Sequence, residues 1–159
     1  MPNLAFNGIV PQLPTVIQVE NYDTGGQGVS FFDFDPENQG GVFREEAVDI
    51  ENSDDTDGTP SIGWAVDSEC LEYTIDVAPG DYLVNVRAAS LFPNPGSLRI
   101  SINGQDLTTV DVDSTGDWFN WETFTSVPIT LTEGGRQALR ITFLGDDFNL
   151  NWVEFTSVE

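Results

Sequence analysis

Three segments concentrate the side chains whose chemistry could matter. The first is Gln18-Val19-Glu20-Asn21-Tyr22-Asp23. Read as extended chain, it puts Gln18 and Glu20 two residues apart on one face. Two oxygen donors on one face suit a hard cation such as Ca²⁺, which takes about six to eight oxygens from carboxylates and carbonyls. Asn151 joins them if the first and last strands are neighbours. Solvated polar alternation accounts for the same pattern, and on these residues alone it is the plainer reading. The second segment is Ser114-Thr115-Gly116-Asp117-Trp118-Phe119-Asn120-Trp121, with two indoles around a turn. An exposed indole stacks on the apolar face of a pyranose, whose C–H groups meet the negative π-face; burial of both rings fits equally well. The third is Gly145-Asp146-Asp147-Phe148-Asn149-Leu150-Asn151-Trp152. The Asn149 amide offers donors and an acceptor to paired sugar hydroxyls, or it caps the strand start through an Asx turn.

Bond-breaking chemistry has less to work with. The chain has no His and a single Cys, which removes the commonest general base, the His-dependent triads and zinc sites of ordinary composition. Gly25-Gly26-Gln27-Gly28 lacks the spacing of a phosphate-binding loop. A glycosidase needs only two carboxylates, so that route stays open, but abundant acids give no specific signal for it. The 27 acidic residues against 5 basic ones give a net charge of -22. Such a surface repels phosphate backbones and anionic membranes, so neither nucleic acid nor membrane is an expected partner. Salt screens the self-repulsion, which fits a salt-tolerant or marine setting.

The elements that must position these residues are short strands. Leu71–Val77 and Tyr82–Ala88 alternate apolar and polar residues around the break Ala78-Pro79-Gly80-Asp81. Leu98–Ile102 runs into Asn103-Gly104, a two-residue hairpin signal, with Leu107–Val112 as partner. Val16–Tyr22, Phe124–Leu131, Gln137–Leu144 and Asn149–Thr156 add further strands, and Asp49–Gly63 reads as a surface loop. Cys70 is expected to point into the core as a small hydrophobe. About nine or ten strands without helical periodicity predict one all-β domain over 1–159: a β-sandwich, or jelly roll, of two antiparallel sheets. No apolar run approaches the ~18 residues of a membrane-spanning helix, and Met1-Pro2-Asn3 shows no basic, apolar leader.

The order and spacing of Ile17–Asp23, Gly28–Asp33, Asn38–Arg44, Val48–Ile50, Gly63-Trp64, Leu71–Tyr73, Thr115–Trp121 and Phe148–Trp152 resemble the family 6 carbohydrate-binding modules. The resemblance implies a secreted, monomeric, non-catalytic jelly roll attached to a parent glycoside hydrolase. It implies that two aromatics sandwich a terminal sugar while an Asn hydrogen-bonds it. Carried over by position, Trp118 is the first ring, Asn149 the amide and Phe31 the opposing ring, with Phe32 as the alternative one residue along; Glu20 and the loop 24–27 line the same pocket. The family usually has Tyr opposite, so Phe keeps the stacking face and loses a hydroxyl. The resemblance also implies a structural Ca²⁺ at Gln18, Glu20 and Asn151, with a main-chain carbonyl near Arg44, and a second cleft near Trp64, Glu72 and Phe43. Trp121 and Trp152 are expected in the core. The ligand expected is a neutral β-linked polysaccharide, laminarin-type β-1,3-glucan or xylan. A protein-binding adhesion sandwich is the rival reading.

Overall fold

The computed structural model describes residues 4–158. Twelve strands follow in order: β1 (Thr15–Gln18), β2 (Phe31–Phe32), β3 (Ile50–Glu51), β4 (Ser61–Ile62), β5 (Cys70–Val77), β6 (Gly80–Ala89), β7 (Gly96–Ile102), β8 (Gln105–Val112), β9 (Glu122–Thr125), β10 (Ile129–Leu131), β11 (Gly135–Leu144) and β12 (Asn149–Ser157). They form two antiparallel sheets. The seven-stranded sheet has the order β10-β6-β12-β4-β3, with β1 also on β12 and β9 on β6; the five-stranded sheet runs β2-β5-β11-β7-β8. The fold is the expected all-β sandwich.

Alternation builds the core. In β5, Leu71, Tyr73, Ile75 and Val77 are buried, and Cys70, Glu72, Thr74 and Asp76 face outward. Opposite them lie Tyr82, Val84, Val86 and Ala88 of β6 and Leu150, Val153 and Phe155 of β12. Cys70 therefore sits half-exposed on the outer face, not in the core as expected, because the four larger side chains take the inner phase. Asn103 and Gly104 both have positive φ (49° and 81°), the geometry of a type I′ turn whose twist matches the strands it joins.

Four sequence expectations change in detail. Phe124–Leu131 is two strands, since Pro128 lies between β9 and β10 and cannot donate to a ladder. The 49–63 loop contains β3 and β4, which pair as a short hairpin. Val16–Tyr22 is strand only to Gln18, after which Val19–Asn21 turns as a 3₁₀ helix. Gln18 and Glu20 thus do not share a strand face; the turn supplies their relationship. Trp152 is half-buried, not core, because inward Val153 and Phe155 set the phase of β12.

Candidate functional site

Three loops and one short strand build a concavity at one end of the sandwich strands β3, β4 and β12. Glu51, Trp64, Trp118, Phe119, Asp146, Phe148 and Asn149 line an open cavity of about 340 Å³, within the size range of small-ligand sites. Trp64 leaves β4 with φ 49°, a conformation that bulky residues rarely adopt, and its ring is 52 % exposed. The chain holds it there from both sides: Gly63 N–H donates to the Asp49 carbonyl (3.1 Å) and Val66 N–H donates to the Glu69 carboxylate. Glycine at 63 leaves room beside the indole. A Cβ there would lie 2.9 Å from Glu51 Oε1 and 3.1 Å from Asn149 Oδ1, so its absence lets both polar groups converge beside the indole.

Trp118 sits on a turn that satisfies its own polar groups. Asn120 Nδ2 donates to the Thr115 carbonyl (2.6 Å), and Phe119 N–H donates to Asp117 Oδ1 (3.1 Å). The half-buried indole meets Phe92 edge-on, with centroids 5.4 Å apart at 89°. Asn149 Nδ2 donates to the Trp118 carbonyl (2.8 Å), so one amide hydrogen anchors the turn and the carbonyl oxygen remains toward Gly63 and the cavity. Burial pushes the Glu51 carboxyl above its ordinary pKa. The arrangement is two indoles, an amide and a carboxyl around a slot: apolar faces to stack on and groups to read hydroxyls.

Trp118 and Asn149 therefore come together as the sequence suggested, but Phe31 does not join them. Phe31 is 5 % exposed and packs edge-on against Tyr22 at 5.6 Å, because β2 pairs with β5 and turns this ring inward. Phe32 faces out, meets Phe34 edge-on at 4.9 Å, and borders a separate groove with Cys70, Glu72 and Arg140. Glu20 is not at the slot either; it is 2 % exposed and lies near Asp57. Trp64, expected near a second cleft, lines this cavity with Trp118, beside Phe119 and Phe148.

Two carboxyls beside Glu69, whose own carboxylate accepts from Val66, have raised pKa values. Burial and the neighbouring Glu69 push the Asp33 carboxyl well up, and burial raises Asp49 from 3.8 to about 6 despite the Gln39 amide that it accepts. A carboxyl with a raised folded-state pKa keeps its proton where the unfolded chain has lost it. Its stabilising contribution is complete below 3.8 and is lost as pH rises, through about 6 for Asp49 and higher for Asp33. The melting temperature at low ionic strength is therefore expected to be higher at pH 5 than at pH 8, with Asp33→Asn reducing the difference. Thermal scans across that range check it; a melting temperature that climbs toward pH 8 would contradict it.

A second polar centre lies between the chain ends. The β-bulge at Leu150/Trp152 leaves Asn151 as the extra residue beside Gln18, whose Cα partner is Trp152, and bulges re-aim side chains in this way. Thr59 Oγ1 lies 3.1 Å from Gln18 Oε1 and 3.0 Å from Asn151 Oδ1. A hydroxyl has one hydrogen, so it cannot serve both acceptors at once. Glu20 Oε2 is buried with no hydrogen-bond partner. Asn151 Nδ2 donates to Asp55 Oδ2 (2.9 Å) and Asp57 Oδ1 (3.2 Å), and Gln18 Nε2 to Asp57 Oδ2 (3.4 Å). The cluster holds more oxygens than hydrogens to satisfy them, which is the donor chemistry of a hard cation. Its oxygens are mixed amide, hydroxyl and carboxylate; among the described residues no three Asp, Glu, Cys or His side chains form a metal site by themselves. Burial, with Asp57 adding to it, raises Glu20 to about 8.

Arg44, whose carbonyl the resemblance put near the cation, is bonded to Asn38 and to the 3₁₀ turn. Its carbonyl accepts from Asn38 Nδ2 (3.0 Å). Its guanidinium lies over the Tyr22 ring at 3.5 Å, pairs with Glu46 at 2.9 Å, and donates to the carbonyls of Glu20, Tyr22 and Asp23. A guanidinium so close to the Glu20 backbone anchors the 3₁₀ turn that carries Glu20.

Comparison with known proteins points one way. The model of the family described as carbohydrate binding module (family 6) matches residues 42–157. Among solved structures, a β-1,3-glucan-binding module of this family from Bacillus halodurans is 25% identical, with a TM-score of 0.71 over 94% of this chain and 100% of that one. The module from Cellvibrio mixtus lichenase 5A, solved with cellotriose, is 22% identical, with a TM-score of 0.69 over 92% and 98%. A family 43 arabinoxylan arabinofuranohydrolase from Bacillus subtilis, solved with cellotetraose, is 14% identical and aligns with a TM-score of 0.64 over 94% of this chain and 28% of its own. No curated protein matches the chain.

Proposed function

The chain belongs to family 6 of the carbohydrate-binding modules, and from that membership we propose that it grips a neutral β-linked polysaccharide between Trp64 and Trp118. The observation that carries the reading is the shared cavity of the two indoles with Asn149 and Glu51. A pyranose entering it buries its apolar faces against the rings. Asn149 Oδ1 and the Glu51 carboxyl then accept sugar hydroxyls, and any hydroxyl left unpaired there costs affinity, so these two groups select orientation. Glu51 and Asp146 line the slot on a chain of net charge -22, which disfavours uronates and sulfated sugars. Laminarin-type β-1,3-glucan is the ligand favoured, xylan the next; the glucan-binding Bacillus halodurans relative supports the choice.

An affinity of about 1 mM to 1 μM, or about -4 to -8 kcal/mol, suits so small a contact. The role proposed is delivery: a secreted, monomeric module concentrates an attached glycoside hydrolase at its substrate by raising local concentration. The same fold occupies 28% of the Bacillus subtilis arabinofuranohydrolase, which is consistent with such an arrangement. The chain itself is proposed to cleave nothing, with Glu51 reading hydroxyls and not donating protons to a glycosidic oxygen. Affinity electrophoresis in laminarin, xylan and a sulfated galactan, followed by prolonged digestion, tests both halves. Retardation in laminarin without release of reducing ends is expected; release of product, or retardation only in the sulfated gel, would overturn the reading.

The oxygen cluster fits a structural Ca²⁺. Gln18, Glu20 and Asn151 are the residues proposed to hold it, with Thr59 and Asp57 beside them. The ion supplies charge neutralisation and ties β1, β12 and the 52–60 loop together. At calcium about 100-fold above its dissociation constant the folded state gains about 2.7 kcal/mol, which for a chain of this size raises the melting temperature by roughly 5–10 °C. Chelation is expected to remove that increment; an unchanged melting temperature would sink the metal assignment.

A further inference from the structure

The 52–60 segment is the loop of the β3–β4 hairpin, and it touches both centres. One stem ends in Glu51 at the slot; the other runs through Ile62 and Gly63 into Trp64. From the loop itself Asp57 and Thr59 join Gln18 and Asn151. A third connection runs through Asp54, whose Oδ1 accepts from Trp121 Nε1 at 3.1 Å. Trp121 is buried and meets Phe119, a slot residue, at 6.4 Å. Asp55 fixes one point of the loop by pairing with Arg87, while residues 56–58 are exposed, which places that tip at the low end of local stability. Ordering of the tip is therefore cheap to change, and the loop connects to Trp64 through β4 and to Phe119 through Asp54 and Trp121.

We propose that the 52–60 loop is a cation-tightened strut: Asp57 adds the negative charge that the neutral Asn151 lacks, and ordering of the loop around Ca²⁺ tightens sugar binding between Trp64 and Trp118. The proposal rests on the slot reading above. Two observations at the cluster point to a ligand independently of the acidic residues: the orphaned, buried Glu20 Oε2 and the single Thr59 hydrogen between two carbonyl acceptors. Coupling between two binding sites is reciprocal, so sugar must tighten calcium by the factor that calcium tightens sugar. A loop ordered by the first ligand has less entropy left to lose to the second.

Calorimetric titration of the whole chain with a laminarin oligosaccharide, in calcium chloride and in chelator, measures one arm. Calcium titration with and without saturating oligosaccharide measures the other. Sugar binding about tenfold tighter with calcium is expected, and calcium binding tighter by the same factor with sugar. Asp57→Asn is expected to weaken calcium binding at least tenfold. Asp54→Ala, an exposed position outside the oxygen cluster, is expected to keep calcium binding and bring the coupling below twofold. Equal sugar affinity in both buffers would overturn the strut. Tryptophan emission during calcium titration without sugar separates the two failures. A calcium-dependent change with no sugar binding in either buffer overturns the slot reading, and the proposed coupling with it. No calcium response at all overturns the strut by itself.

Discussion

Trp118→Ala is expected to weaken oligosaccharide binding by about 30-fold or more, roughly 2 kcal/mol, the loss that marks a buried aromatic anchor. The substitution removes one stacking face and leaves the Asn149 amide bonded to the main-chain carbonyl at 118, which alanine retains. Trp64→Ala is expected to cost about as much. Neither should unfold the chain, since Trp64 is 52 % exposed and Trp118 half-buried. Phe31→Leu separates this account from the sequence-level one. Phe31 is a core residue against Tyr22, so its replacement should lower the melting temperature and leave the sugar dissociation constant within about twofold. Titration calorimetry of the three variants checks this; a Phe31→Leu loss equal to the Trp118→Ala loss would return the opposing ring to position 31.

The largest stability effect away from the apolar core is expected at Arg87. Its guanidinium forms a two-point contact with Asp55, with Nε to Oδ2 and Nη2 to Oδ1 both at 2.8 Å. The Asp55 side chain is 3 % exposed and that of Arg87 22 %. The pair holds Asp55 down to about 2, chiefly through the Arg87 hydrogen bonds. Arg87→Met strands a buried carboxylate among other acids, and breaking such a pair costs about 3–5 kcal/mol. The Arg140–Glu72 pair, with the Arg140 side chain 53 % exposed, is the contrast: Arg140→Met should cost no more than about 1 kcal/mol. Chemical denaturation of both variants decides the point. Equal losses would mean that burial does not govern these pairs.

The fold was legible because period-two alternation is a strong signal wherever one strand face is buried. β5, β6, β7 and β8 could be read within a residue or two, and Asn103-Gly104 named its own turn. Two-residue strands such as β3 and β4 carry no period and were hidden inside a polar stretch. The site was half legible. Trp118 and Asn149 stood out as an indole and an amide at turns, and both line the slot. Phe31 lies in the core and Trp64 at the proposed slot, because sequence shows an aromatic residue but not whether its ring turns inward. Trp64 stands out on a positive φ, and the room that Gly63 leaves for Glu51 and Asn149 beside it has meaning only once the strands are paired. At the oxygen cluster the route differed from the expectation: Gln18 and Asn151 meet through strand pairing and a bulge, Glu20 arrives by a 3₁₀ turn, and Asp57 and Thr59 come from a loop far away in sequence.

The central claim is that sugar binds between Trp64 and Trp118. The chain has four Trp, so four indole N–H signals report on the slot, the buried Trp121 and the half-buried Trp152 separately. Titration of the isotope-labelled chain with a laminarin oligosaccharide at constant calcium should move the Trp64 and Trp118 signals saturably and together, with a far smaller response at Trp152. Saturable movement that spares Trp64 and Trp118, or no movement of any indole signal, would contradict the account.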